Sequence, residues 1–262
     1  MRFHADKKRE MVESEWTEER LAQVSEALET AHPRQIMAWA LDNFHPDIAL
    51  ACSFGGVSGM VLLDMAMKSD RSVPVFYVDT GVLFPETHAL KDEAARRYGF
   101  LPLAFRPDLT VEQQAVLHGP ELWKADPDLC CEIRKVAPNE RALEGRRAWI
   151  TGLRRDQGET RRDVAIADWD TRFNLVKINP LAAWTEDDVW NYVRDNDVPY
   201  NDLHDRGYPS IGCVHCTRAV RPGEDPRAGR WSGEDKVECG LHTGPEGRPR
   251  QLHQIAELTK GA

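Results

Sequence analysis

The sequence predicts an α/β protein, a mostly parallel sheet covered by helices, on three observations. Short apolar runs such as Ile48-Ala49-Leu50-Ala51-Cys52, Val75-Phe76-Tyr77-Val78 and Leu175-Val176-Lys177-Ile178 recur along the chain. Helical patterns separate them, as in βαβ units. The runs are near-continuously apolar rather than alternating, which is how strands buried on both faces read.

Taken in order, residues 1–16 are charged and without periodicity, and are expected to fray. Thr17 caps a helix whose Leu21, Val24 and Leu28 share one face. A second helix follows Pro33 with Ile36, Met37, Ala40 and Leu41. The strand 48–52 leads through a Gly-bearing turn, Ser53–Gly59, into an apolar helix from about Val61 to Met67. The strand 75–78 ends at Asp79-Thr80-Gly81, and Pro85 opens a helix running to Tyr98. Leu101–Phe105 reads as a third strand, and Trp149-Ile150-Thr151 and 175–178 as two more. Thr185 begins a helix to about Arg194, with Glu186-Asp187-Asp188 well placed in its first turn. Residues 219–249 hold six Gly and four Pro in 31 positions, so a packed element is not expected there. The resulting division is an N-terminal tail and helices (1–44), an α/β domain (45–218) and a flexible C-terminal segment (219–262).

At 41% hydrophobic and 29% charged residues the chain has a globular composition, which excludes wholesale disorder. A net charge of −9 argues against duplex nucleic-acid binding. The first residues lack the apolar core of a signal peptide, and no apolar run approaches the roughly 18 residues of a membrane span. A cytoplasmic location is expected. There, six cysteines in a chain long enough to bury a core suggest metal binding or chemistry rather than disulfides.

Ser53-Phe54-Gly55-Gly56 lies between a strand and a helix, where glycine bares backbone N–H groups to a phosphate. No Gly-Lys-Ser/Thr follows, so it is not a Walker A loop, and a tight packing turn explains it equally well. Asp79-Thr80 ends the next strand; an N-cap is its simpler reading, a sugar or amine contact the functional one. Cys130-Cys131 and Cys213-Val214-His215-Cys216 together offer four thiols. Adjacent cysteines on a helix diverge by about 100°, which suits an iron–sulfur cluster better than one small zinc; zinc and a Cys213/Cys216 dithiol remain alternatives. Arginines concentrate at 154, 155, 161, 162, 206, 218, 221, 227 and 230, with Lys135 nearby, and in an acidic chain they point to an anion pocket. Several must simply be solvated. Cys239 stands apart on the Gly-rich segment, accessible enough to act as a nucleophile, with His242 three residues on. Cys52, inside a strand run, reads as packing.

In this order these pieces resemble the assimilatory adenylyl-sulfate (APS) reductases, within the group that includes PAPS reductases. The resemblance runs from about residue 45 to 242. Further carriers are Leu83-Phe84-Pro85-Glu86-Thr87, Ile133-Arg134-Lys135, Ile150-Thr151-Gly152-Leu153-Arg154-Arg155, Tyr208-Pro209-Ser210-Ile211-Gly212, Arg227-Ala228-Gly229-Arg230-Trp231 and Glu238-Cys239-Gly240-Leu241-His242. It implies an adenine nucleotide α-hydrolase-like (Rossmann-like) fold and a [4Fe–4S] cluster on Cys130, Cys131, Cys213 and Cys216. Cys239 would be the nucleophile and thioredoxin, or a glutaredoxin-like protein, the donor. Substrate contacts would come from Ser53, Phe54, Gly55, Gly56, Asp79, Thr80, Gly152, Lys135, Arg227 and Arg230, with either Arg161 or Arg162, and His242 would assist catalysis. Two departures stand out: Val57-Ser58-Gly59 where relatives often carry acidic residues, and Ser232-Gly233 where they often carry tryptophan. A PAPS reductase and a zinc-stapled adenylate-binding module are the rival readings, and a homo-oligomer is left open.

Overall fold

A computed structural model describes residues 15–242. Its elements are α1 (Glu18–Leu28), α2 (Pro33–Phe44), β1 (Ile48–Ala51), α3 (Val57–Ser69), β2 (Val75–Val78), α4 (Pro85–Tyr98) and β3 (Leu103–Phe105). There follow α5 (Val111–His118), α6 (Leu122–Ala125), α7 (Pro127–Cys131), a π-helical turn (Glu132–Val136) and α8 (Ala137–Leu143). The chain continues through β4 (Ala148–Ile150), β5 (Ala167–Asp170), β6 (Leu175–Ile178) and α9 (Glu186–Asn196). The six strands form one sheet in the order β3-β2-β1-β4-β6-β5, parallel except where β5 runs against β6. This is the α/β architecture expected from the sequence.

Local chemistry sets the boundaries. Thr17 accepts from the Arg20 N–H to cap α1, Pro33 occupies the first turn of α2, and Gly99 closes α4 in the left-handed conformation. α3 begins at Val57, four residues before the apolar run suggests. Gly56 caps it in extended conformation, so Val57-Ser58-Gly59 is its first turn rather than loop. Gly59 packs this turn against Cys52, the residue after β1: a Cβ here would meet the Cys52 sulfur at 3.5 Å, an ordinary contact. β3 is shorter than expected because Leu101 is 82% exposed. β5 was not expected; Ala167-Asp168-Trp169-Asp170 carries two carboxylates and pairs only at the sheet's edge. Trp16, inside the stretch expected to fray, is instead buried against Phe44, with ring centroids 4.9 Å apart; residues 1–14 lie outside the described part.

The main core joins α1–α4 and α9 to β1, β4 and β6, with Met37, Phe44, Ile48, Leu50, Met60, Leu62 and Ile178 fully enclosed. A smaller core on the other face holds Ala49, Phe76, Trp149, Phe173 and Leu175, and Leu241 packs on it. Asp64 of α3 is buried in the main core's edge and accepts hydrogen bonds from Tyr98 (3.0 Å) and Tyr192 (2.7 Å), with Lys68 at 2.8 Å. Asp64→Ala would take the acceptor from two buried phenol O–H groups, leaving Tyr98 unpaired and Tyr192 with Arg34 alone at 3.0 Å, an expected loss of about 3 kcal/mol, to be read from the urea midpoint. Among the described residues no helix is long and apolar enough to cross a membrane.

Candidate active site

The sheet's direction of growth switches between β1 and β4, and a cleft of about 350 Å³ opens beyond the carboxyl ends of these strands. Ser53, Gly55 and Gly56 line it, together with the α3 N-terminus. Gly55 lies against Ile211, whose carbonyl oxygen would be 3.3 Å from a Cβ at this position. The His204 ring nitrogen lies 3.0 Å from the Gly55 carbonyl, and Asn201 donates to the Phe54 carbonyl at 3.2 Å. These contacts hold Phe54 in the left-handed region (φ 54°), uncommon for a bulky residue and typical of functional turns.

At the end of β4, Thr151 and Gly152 form the opposite wall. A Cβ on Gly152 would sit 3.1 Å from the Ser58 Cβ and 3.2 Å from the Gly59 nitrogen, so a side chain here would press β4 and α3 apart by a few tenths of an ångström. Arg154 follows, buried, and donates to Ser58 Oγ (2.6 Å) and Asp156 (2.9 Å). Gly152→Ala is expected to cost about 1–3 kcal/mol, the range for overpacking, read as a lower urea midpoint.

Residues 219–242 contain no helix or strand, consistent with their composition, yet they cross the cleft as a strap of turns. An isolated bridge between Thr217 and Arg230 starts it, and it brings Arg227, Arg230, Cys239, Leu241 and His242 to the cleft wall. Cys239 is half-buried. Burial alone would push its thiol up, but Lys135, the Leu241 N–H and Arg230 outweigh burial and hold it below the ordinary thiol range. His242 lies nearly parallel to Trp149, centroids 5.8 Å apart. Burial, then the charges of Lys177, Arg161 and Arg227, push it well below the usual range, which favours the neutral imidazole.

Beside the cleft, Cys130, Cys131, Cys213 and Cys216 line one small cavity with Gln114, Arg134 and Lys135. A π-helical turn directly after Cys131, a feature frequent at functional sites, carries Arg134 and Lys135. Cys213 reaches the cavity because Val214 N–H bonds the Val82 carbonyl (2.9 Å). Arg134 donates to the Thr80 carbonyl (2.7 Å) and to Gln114 (2.9 Å), whose amide faces Cys130 at 3.8 Å. His215 stacks on Trp123 at 3.9 Å. Lys135, itself buried, is the residue shared by cavity and cleft that also faces Cys239.

The structure thus brings Ser53, Gly55, Gly56, Thr80, Lys135, Gly152, Arg161, Arg227, Arg230, Cys239 and His242 to one cleft. Three expected substrate contacts are elsewhere. Phe54 is fully buried against Tyr77, because an aromatic ring next to two glycines gains more in the core than at a polar wall. Asp79 turns away to pair with Arg106 at 3.0 Å and cap the Gly81 N–H. Arg162 is exposed and paired with Glu159 at 2.5 Å, so of the two arginines Arg161 is the one in the cleft. Arg155 and Arg206 pair with Glu29 and Glu86 away from it. Sequence reasoning missed the buried Asn139, whose amide nitrogen lacks a partner in the cleft wall, and gave Glu238 no role beyond its place in the resemblance.

A model of the phosphoadenosine phosphosulfate reductase domain matches residues 47–219. Adenosine 5'-phosphosulfate reductase of Oceanobacillus iheyensis is 48% identical over 216 residues, 82% of this chain and 90% of that protein. The chain belongs to the phosphoadenosine phosphosulfate reductase family. Within that family, adenosine 5'-phosphosulfate reductase 2 of Bacillus subtilis is 46% identical over 208 residues, 79% of this chain and 88% of the relative. A crystal structure of phosphoadenylyl-sulfate reductase from Candida auris, a phosphate complex, superposes with a TM-score of 0.69 at 31% identity, covering 78% of this chain and 98% of that one. A Candida glabrata FMN adenylyltransferase bound to ATP shares the fold alone, with a TM-score of 0.51 at 15% identity over 91% of this chain and 80% of that one. The reductase family match spans β1 to the four-cysteine cavity; the strap with Cys239 lies beyond it.

Proposed function

We propose that this protein reduces adenosine 5'-phosphosulfate to sulfite and AMP, with a thioredoxin-type dithiol as donor. One observation carries the reading: Cys239 faces a nucleotide-sized cleft at the switch point of the sheet, with Lys135 and Arg230 favouring its thiolate. The names of the relatives support the substrate class.

Adenylate occupies the cleft against Ser53, Gly55, Gly56 and Gly152, and its phosphosulfate reaches towards the strap. Lys135 and Arg230 offset the substrate's negative charge, so that an anionic sulfur can approach an anionic phosphate–sulfate anhydride. The Cys239 thiolate attacks the sulfonyl sulfur, the S–O bond to the phosphate breaks, and AMP leaves with that electron pair. Cys239 is left as S-sulfocysteine. A donor thiolate then attacks the Cys239 sulfur, and sulfite departs with the S–S bonding pair. The donor's second thiol resolves the mixed disulfide, so two thiols are oxidised for each sulfite formed. Neutral His242 can hold a sulfonate oxygen by hydrogen bonding without adding charge.

Four thiols lining one cavity fit an iron–sulfur cluster held by Cys130, Cys131, Cys213 and Cys216. A bound [4Fe–4S] cluster would fix the shape and field of the wall beside Lys135, while the reducing electrons arrive as thiols.

Incubated with adenylyl sulfate and no thiol, the protein is expected to release one equivalent of AMP and to carry one sulfonate on the Cys239 peptide. A sulfonate on any other residue would overturn the assignment. Turnover with and without a 3'-phosphate on the substrate separates this reading from a PAPS reductase, and iron with acid-labile sulfide separates it from a zinc-stapled binding module.

A further inference from the structure

The two residues before Cys239 are gripped by arginines from two separate segments. Arg161 donates from Nε to Glu238 Oε1 and from Nη2 to Oε2, both at 2.8 Å, the bidentate geometry that makes an arginine–carboxylate pair both strong and directional. Thr160 Oγ1 adds a bond to Oε1 at 3.1 Å. Arg227 donates to the Val237 carbonyl at 2.6 Å and lies 3.2 Å from Glu238 Oε2. The three side chains are largely buried: 13% exposed for Arg161, 19% for Arg227 and 7% for Glu238. Arg161 is itself anchored, donating from Nη1 to Gln157 Oε1 at 2.6 Å, and that oxygen also accepts from the Arg154 N–H. The grip therefore runs from the β4 loop to the nucleophile's own neighbour.

Both arginines line the cleft and would, by position alone, be taken as anchors for the substrate's sulfate. Their donor forks are already turned onto the strap. Lys135 and Arg230 are the cations that favour the Cys239 thiolate. We propose that Glu238 is a positioning residue that closes a clasp with Arg161 and Arg227, holding Cys239 in the cleft for the first thiol step and opening to present it to the donor for the second. The cleft's cations then divide their work: Arg161 and Arg227 hold the strap, and Lys135 with Arg230 serve the sulfonate. For its consequence in turnover this rests on Cys239 as the nucleophile; its structural content does not.

The test uses the holoprotein without substrate. Alkylation of Cys239 by iodoacetamide is followed by mass spectrometry of its peptide in the parent, Glu238→Gln, Arg161→Gln and the double variant. Charge alone would move thiol reactivity in opposite directions in the two single variants, since one removes a carboxylate and the other a cation. An opened clasp speeds alkylation in both, by at least about tenfold. The double variant is expected to be no faster than the faster single one, as for two partners of one contact. Arg161→Lys, which keeps the charge but loses the fork, should fall between. AMP affinity is expected to stay within about threefold of the parent's in Arg161→Gln, which also reports that the cleft is folded. Parent-like or slower alkylation in Arg161→Gln, or a fall in AMP affinity of more than about tenfold without faster alkylation, would overturn the clasp and make Arg161 a substrate anchor. A wrong nucleophile would instead show as missing sulfonate on Cys239 with the alkylation pattern intact.

Discussion

Cys239→Ser is expected to stop sulfite release, with a loss of at least about 10³-fold in kcat, and to abolish the AMP burst seen without thiol. The nature of the attacking atom decides the outcome. Lys135 and Arg230 favour an anion at this position, outweighing burial, so the thiol is ionised at lower pH than a free one. A serine hydroxyl gains too little from the same charges to ionise near neutral pH, and neutral His242 is pushed well below its usual range by burial and by three cations. The variant should still bind AMP like the parent, because the adenylate wall proposed above is built by β1, α3 and the β4 loop and not by Cys239. The pH dependence of the sulfonation step in the parent follows in sign. Its rate should fall as pH drops through the depressed midpoint of Cys239, and that midpoint should lie below that of a free cysteine thiol. Arg230→Ala removes one of the two cations and should move the midpoint upward. A midpoint that moves down would mean that Arg230 does not face the thiolate.

The parts of the site that depend on local chain were legible in the sequence. Glycine at 55 and 56 marked the turn between β1 and α3, and Gly55 does lie against Ile211, whereas the close approach of Gly152 to Ser58 was not read from the sequence. The paired cysteines and the isolated Cys239 stood out because thiols are rare and their spacing is informative. Elements with apolar runs, β1, β2, β4 and β6, could be placed within a residue or two, whereas β5 carries aspartates at an edge and leaves no such trace. The helices from α5 to α8 are short, and their caps are local, as with Thr110 and Gln113, so periodicity has too few residues to speak. What could not be read is pairing across distance. Phe54 sits in a ligand-like motif yet turns into the core, and Arg161 meets Glu238 across 77 residues. Only the folded chain decides between Arg161 and Arg162, because one residue of advance along a 3-10 turn rotates a side chain from the cleft to solvent.

Gly229→Ala should cost about 100-fold or more in turnover while leaving the α/β body folded. A Cβ at this position would stand 2.2 Å from the Arg218 carbonyl oxygen and 3.2 Å from a Val220 methyl. The first is a backbone atom that cannot swing aside. It is fixed where the strap leaves the cysteine cavity, with Arg218 N–H bonded to the Gly229 carbonyl (2.9 Å) and Trp231 N–H to the Cys216 carbonyl (3.1 Å). Adding the methyl must part these two segments. Arg230 and Trp231 then shift together, and the Trp231 ring, 5.6 Å from the Lys135 ammonium and 4.4 Å from the Arg230 guanidinium, no longer backs the two cations that serve Cys239. A misplacement of about 1 Å at a reacting group is enough for a 100-fold loss. Because the strap adds no strand to the sheet, the urea midpoint of the body should move little, in contrast to Asp64→Ala, which should lower it with the cleft intact. Paired measurements of the urea midpoint and of kcat in both variants check the contrast. A Gly229→Ala protein that turns over at the parent's rate would mean that the bridge between Thr217 and Arg230 does not set the position of Cys239, and that the clasp at Glu238 alone does.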